Sequence, residues 1–269
     1  MRTIGIHDAQ PTHAGQPSSL VADGAPAGLP AVPKSRGTPI LIGVGFVTLF
    51  ACLLAFGRIA QEIHRQEAIA LDAVVTPLLH GWATPALDQV MWAITTIGST
   101  AVVAPLFVVL ELLLLRARRR REALFLAVAI LGSVLLNTSM KLVFQRPRPQ
   151  LPWAQTPLDY SFPSGHTMNG LVFYLAVALV LWVVLGPRVG VIATAAATVL
   201  AVLIGISRIY LGAHYFTDVA AGFLAGLAWL LVVSSAFDAG DWVTRWRSRG
   251  TAEPGSPAAS ARASADPPT

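Results

Sequence analysis

The sequence predicts an all-α, polytopic membrane bundle of six transmembrane helices plus one short interfacial helix. Three observations lead there. Of the 269 residues, 54% are hydrophobic and 12% charged, about half the charged share of a soluble domain. The apolar residues fall into six runs of about 20 residues, the length a helix needs to cross a bilayer. The basic residues gather at the ends of those runs, as they do where charge sets membrane topology. A net charge of +5 could indicate a nucleic-acid binder, but positives placed this way report topology, and no nucleic-acid partner is expected.

Taken in chain order, residues 1–37 are rich in Ala, Pro and Gly with little apolar periodicity, which predicts a disordered tail. The first run, near 39–58, starts too far in and is too long for a cleaved signal peptide. It holds Cys52, the single cysteine, so no internal disulfide can form. In 68–82, Leu71, Val74, Val75, Leu78 and Leu79 recur at helical spacing, interrupted by Asp72 and Pro77, which predicts the short interfacial helix. The second run, near 87–115, is long, and Gly98-Ser99-Thr100 is where it would bend or divide. The remaining spans fall near 122–144, 166–186, 189–210 and 217–236. Residues 241–269 are basic and then Pro-, Ser- and Ala-rich, a second tail, leaving 38–240 as one membrane domain.

Lys and Arg give the orientation. With the N-terminus inside, the inner segments hold Lys34, Arg36, the Arg116–Arg121 cluster, Arg188, Arg245, Arg247 and Arg249. The outer segments hold Arg58, Arg65, Lys141, Arg146, Arg148 and Arg208. This asymmetry predicts a multi-pass cell-membrane protein with both termini cytoplasmic. Three polar stretches then share the extracytoplasmic face.

The most informative of these is Ser207-Arg-Ile-Tyr-Leu-Gly-Ala-His-Tyr-Phe-Thr-Asp218, set between two spans. Gly212 is a stop for the preceding helix, and a new helix can start near Ala213. His214 and Asp218, four apart, then share a face. The carboxylate can hold one ring nitrogen and leave the other free as base or nucleophile. Arg208 offers a planar positive fork for an oxyanion. The second stretch is Lys141-Leu-Val-Phe-Gln-Arg-Pro-Arg-Pro149. Alone it reads as a basic, snorkelling helix end, but each proline pushes the preceding Arg toward extended backbone and fixes the direction of Arg148. Arg146 reads as a more distant phosphate or head-group contact. The third stretch is Ser161-Phe-Pro-Ser-Gly-His166. Ser164 is placed to cap the next helix, Gly165 presents free backbone N–H groups suited to phosphate, and His166 falls in the first turn.

Lys141 with Arg148-Pro149, Pro163-Ser-Gly-His166, and Ser207-Arg208 followed by His214 and Asp218 together resemble the tripartite signature of the type 2 phosphatidic acid phosphatase superfamily. These are membrane lipid phosphate phosphatases that share their active-site pattern with vanadium haloperoxidases. The resemblance implies that His214 attacks phosphorus to give a phosphohistidine, oriented by Asp218. It implies that His166 protonates the leaving oxygen and then activates water. Lys141, Arg148, Arg208, Ser164 and Gly165 would bind the non-bridging oxygens. Three cations can then take the place of Mg²⁺, so no metal and no cofactor are expected.

The other polar residues have plainer readings. His64 and His80 read as non-catalytic, and Trp82, Trp92 and Tyr215 as interfacial anchors. Asp88 is an acid that a motif cation could reach. The expected activity is hydrolysis of a lipid phosphate or pyrophosphate drawn from the bilayer. A polyprenyl pyrophosphate comes first, then phosphatidic acid or phosphatidylglycerol phosphate. A phosphotransferase with an acceptor other than water is the enzymatic alternative. A transporter would carry polar residues and broken helices at mid-span, whereas here the polar groups gather at one end. A non-catalytic relative would lack His166, His214 or Asp218, and the hydrophobic spans exclude a soluble haloperoxidase.

Overall fold

In the computed structural model, the described backbone covers residues 37–65, 70–154 and 159–250. The tails expected at 1–37 and beyond 250 lie, Gly37 apart, outside the described residues. Eight helices follow in order among them: α1 (Gly37–His64), α2 (Ala70–His80), α3 (Pro85–Ile97), α4 (Thr100–Arg116), α5 (Arg120–Phe144), α6 (Gly165–Leu185), α7 (Pro187–Tyr210) and α8 (Phe216–Gly250). Among the described residues, six stretches are long and apolar enough to cross a membrane, α3 and α4 together forming one of them. The fold is all-α, as the six runs predicted.

The second run does divide at Gly98. The Gly98 and Ser99 amides return to Thr95 and Thr96, and a new helix opens at Thr100. Packing explains the glycine: a Cβ there would stand 2.6 Å from the Ile204 side chain of α7. Two boundaries differ from expectation. α1 runs on to His64, past the expected end near 58, and its added turn buries Ile63 beside Phe162 and Ala221. α8 continues to Gly250, past the expected end near 236, since no proline interrupts the chain before Pro254.

α6 lies at the centre, packed on α4, α5, α7 and α8. Its core partners include Leu126, Ala129 and Ile130 of α5 and Leu230 and Val233 of α8, around Val172, Phe173 and Ala176. Lipid is as apolar as these side chains, so close backbone approach and polar pairing must hold the helices together. Both occur. Gly222 and Gly226, four apart on α8, face α6: a Cβ at Gly222 would lie 2.9 Å from the Ser164 carbonyl oxygen, and one at Gly226 3.1 Å from that of Met168. On α5, the Ser133 hydroxyl donates to Asn169 Oδ1 at 2.7 Å, and Asn137 Nδ2 donates to the Pro163 carbonyl at 3.3 Å. These contacts register the motif-bearing ends of α5, α6 and α8 against one another.

α2 departs from a simple amphipathic surface helix. Leu71, Val74 and Leu78 are exposed, while Asp72 and Thr76 are buried. The acid that interrupts the apolar spacing is the residue that faces the protein.

Candidate active site

The turn between α7 and α8 shapes the site. Gly212 adopts φ +67°, and α7 closes with paired bonds from the Gly212 amide to the Ile209 carbonyl and from the Ala213 amide to the Arg208 carbonyl. This is the Schellman arrangement, with glycine in the left-handed position that other residues avoid. The His214 amide also returns to Arg208, so α8 cannot begin at Ala213 as expected and starts at Phe216. His214 therefore sits in the turn rather than on the helix. It still meets Asp218: His214 Nδ1 lies 3.5 Å from Asp218 Oδ2, an ion-pair distance longer than a hydrogen bond.

The other nitrogen of His214 faces a cation. Arg148 Nη1 lies 3.0 Å from Nε2. A guanidinium only donates, so Nε2 must accept, and the ring proton belongs on Nδ1, toward Asp218. Burial pulls the His214 pKa down to about 4 against the opposing pull of Asp218. The ring is then neutral, with its Nε2 lone pair available once Arg148 moves off it.

Arg148 is buried and heavily engaged. It donates to the Ala213 carbonyl at 2.7 Å and to Asp159 through Nε and Nη2, the latter at 2.6 Å. Lys141 Nζ pairs with the other oxygen of Asp159. Burial would raise the Asp159 carboxyl, but Lys141 and Arg148 hold it at about 2. A carboxylate thus bridges two of the three cations expected to take phosphate. Asp159 carries no motif signal in the sequence, and only the fold sets it against Lys141 and Arg148.

The third cation is differently placed. Arg208, buried, donates from Nη1 to Thr95 Oγ1 at 2.8 Å, and its Nε has no hydrogen-bond partner among the described residues. Thr95, on α3, was not expected at the site. His166, in the first turn of α6, lies within electrostatic reach of Arg208, His214, Arg148 and Lys141. Ser164 occupies the N-cap position of α6, but its side chain caps nothing; its hydroxyl accepts from Thr167 Oγ1 at 3.0 Å. Its amide donates to the Asp218 carbonyl at 3.0 Å, tying the α6 entry to α8. The Gly165 and His166 amides begin the helix, where no intrahelical acceptor exists for them.

Three other polar residues have partners that the sequence did not announce. Arg146 stands behind His214: it binds Asp218 Oδ1 at 2.6 Å and Asp72 Oδ2 at 2.7 Å. Burial works against its charge, and Asp218 and Asp72 more than offset this, so its pKa is raised. Tyr215 is more than an anchor, since its ring lies 4.0 Å beneath the Arg146 guanidinium carbon. Asp88 pairs with no motif cation among the described residues; it accepts from the Tyr210 hydroxyl at 2.6 Å. His80 stacks on Trp153 and lies 3.2 Å from the Tyr210 carbonyl, holding the end of α7. Among the described residues no group of three or more His, Cys, Asp or Glu could hold a metal.

Comparison with known proteins gives a consistent picture. The model of the PAP2 superfamily matches residues 122–241. Phosphatidylglycerophosphatase B of Bacillus subtilis is 32% identical over 205 residues, covering 76% of this chain and 98% of that protein. An undecaprenyl-diphosphatase of Sulfolobus acidocaldarius is 32% identical over 138 residues, 47% of this chain and 60% of that protein. The crystal structure of a PAP2-type phosphatidylglycerolphosphate phosphatase from Bacillus subtilis aligns with a TM-score of 0.66 at 30% identity, over 71% of this chain and 96% of its own. That of Aquifex aeolicus LpxE aligns at 0.52 and 27% identity, over 62% and 96%. With a full-length relative, a shared fold and the three motif stretches meeting at one end of the bundle, the chain belongs to the PAP2 superfamily and is a membrane lipid phosphatase.

Proposed function

We propose that this protein removes a terminal phosphate from a membrane lipid through a phosphohistidine on His214, at the extracytoplasmic face. The observation that carries the reading is the pairing at His214. One nitrogen faces a buried carboxylate at 3.5 Å, and the other accepts from a cation at 3.0 Å. In the reaction, Arg148 turns from Nε2 onto a phosphate oxygen and Nε2 attacks phosphorus. The bond from phosphorus to the lipid oxygen breaks as His166 donates its proton to that oxygen. Asp218 balances the charge that forms on the ring. Water, deprotonated by His166, then attacks phosphorus, the P–N bond breaks, and phosphate leaves. Lys141, Arg148, Arg208, the Ser164 hydroxyl and the Gly165 amide neutralise the oxygens throughout.

Phosphatidylglycerol phosphate heads the substrate candidates, on the relative matched along nearly its whole length. A polyprenyl pyrophosphate comes second, on the shorter match. The unequal placing of Lys and Arg supports cytoplasmic tails flanking a membrane domain over 38–240. The test is phosphate release by the detergent-purified chain from a panel of lipid phosphates and pyrophosphates with EDTA present. Release from at least one of them supports the reading, and loss on chelation restored by Mg²⁺ refutes it.

A further inference from the structure

α8 opens without a cap of its own. Tyr215, the residue before its first turn, has no short polar side chain to accept an N-terminal amide. Asp218 supplies half of what is missing, since its Oδ2 accepts from the Tyr215 amide at 3.0 Å, the reach-back half of a capping box. The other half comes from a different helix. Asp72 Oδ1, on α2, accepts from the Thr217 amide at 2.9 Å, and its Oδ2 from the Thr217 hydroxyl at 2.6 Å. Asp72 does from outside what an N-cap aspartate would do from position 215.

Asp72 also reaches Asp218 by a second route. Arg146 joins the two carboxylates, with Nη2 on Asp72 at 2.7 Å and Nη1 on Asp218 at 2.6 Å, and Nη1 also donates to Thr217 Oγ1 at 2.8 Å. The side chains of Asp72 and Asp218 are 5% and 0% exposed, where an ion pair is only weakly screened. A lone Arg146 would neutralise Asp218. Shared with Asp72, it leaves the group one negative charge in excess, and His214 is the ring that faces it.

We propose that Asp72 is a positioning residue of the reaction: through Thr217 and Arg146 it fixes Asp218 and preserves the negative charge that Asp218 presents to His214. This rests on the reading of His214 as the nucleophile oriented by Asp218.

The test uses the full chain in detergent and its Asp72→Asn variant, whose amide oxygen can still accept from the Thr217 amide. The expected result is a fall in kcat of about 10- to 100-fold, the scale on which outer-shell partners of a reactive group act, with KM changed by less than about threefold. In an Asp218→Asn background, Asp72→Asn should cost less than about twofold more, because the two act as one unit. An unchanged kcat, a rise in KM alone, or full additivity with Asp218→Asn overturns the proposal. If Asp72→Asn does not fold, Thr217→Val removes only the hydroxyl bridge. It should lower kcat several-fold, on the order of one lost hydrogen bond, at constant KM, and an unaltered kcat again overturns the proposal. His214→Ala separates the two levels. If it stays active, the nucleophile is misassigned and the proposal falls with it. If it is dead while Asp72→Asn turns over at the wild-type rate, only the role of Asp72 is wrong.

Discussion

Replacing Asp159 by Asn should make the enzyme bind phosphate-like anions more tightly. Asp159 occupies donors of Lys141 and Arg148 that a substrate oxygen would need. Its carboxyl is held at about 2 instead of 3.8, and at 1.36 kcal/mol per pKa unit the two cations favour its charged form by roughly 2 kcal/mol. The side chain is 51% exposed, so water screens part of this and leaves about 1 kcal/mol. An incoming phosphate that displaces the carboxylate must overcome that amount, which corresponds to about fivefold in affinity. The assay is vanadate inhibition of the wild type and Asp159→Asn, and the variant's inhibition constant should fall by about that factor. Because the pKa is depressed, the ion pair is complete above the ordinary value of 3.8 and is lost only as pH falls through about 2. The ratio of the two constants should therefore stay flat from about pH 5 to pH 8. Unchanged or weaker vanadate binding in Asp159→Asn would mean that the carboxylate holds the cations in place for phosphate rather than competing with it.

Three further outcomes follow from the same geometry. Gly222→Ala drives a Cβ to 2.9 Å from the Ser164 carbonyl, a backbone atom that cannot give way; thermal unfolding should show a loss of about 1–3 kcal/mol, whereas Gly57→Ala, with nothing within 4 Å, should be neutral or slightly stabilising. His166→Ala should lose about 10²–10⁴-fold on a lipid monophosphate and clearly less on a lipid pyrophosphate, whose leaving group is a weaker base; equal losses in initial-rate assays would remove His166 from the role of acid. A cysteine at the exposed Gln150, in a chain with Cys52 replaced by Ala, should react with an impermeant thiol reagent in intact cells, and labelling only after lysis would reverse the orientation.

The fold was legible because its determinants are local. Each span is a long apolar run, and Gly98 and Gly212 carried readable signals for a break and a stop. The motif residues were legible because their spacing is carried by the chain itself. What escaped the sequence depends on long-range return of the chain. Asp72 reaches Thr217 across 145 positions, Arg208 reaches Thr95 across 113, and Arg146 joins Asp72 to Asp218. Asp72 left one trace, as a charge breaking the apolar face of a short helix, where burial of a partnered acid is the physical explanation. Thr95 left none, since a threonine within an apolar run is unremarkable. The expected helical face shared by His214 and Asp218 failed at its first residue for a local reason: the Arg208 carbonyl takes the amides of both Ala213 and His214.

The central claim is that His214 carries the phosphoryl group, and rapid quench with a ³²P-labelled lipid pyrophosphate tests it most directly. Wild type should show a transient acid-labile label on histidine. His166→Ala should form the label and lose it slowly, because water lacks its base. His214→Ala should show none at any time. Labelled protein accumulating in His214→Ala, and absent from His166→Ala, would show that the nucleophile and the acid have been assigned the wrong way round.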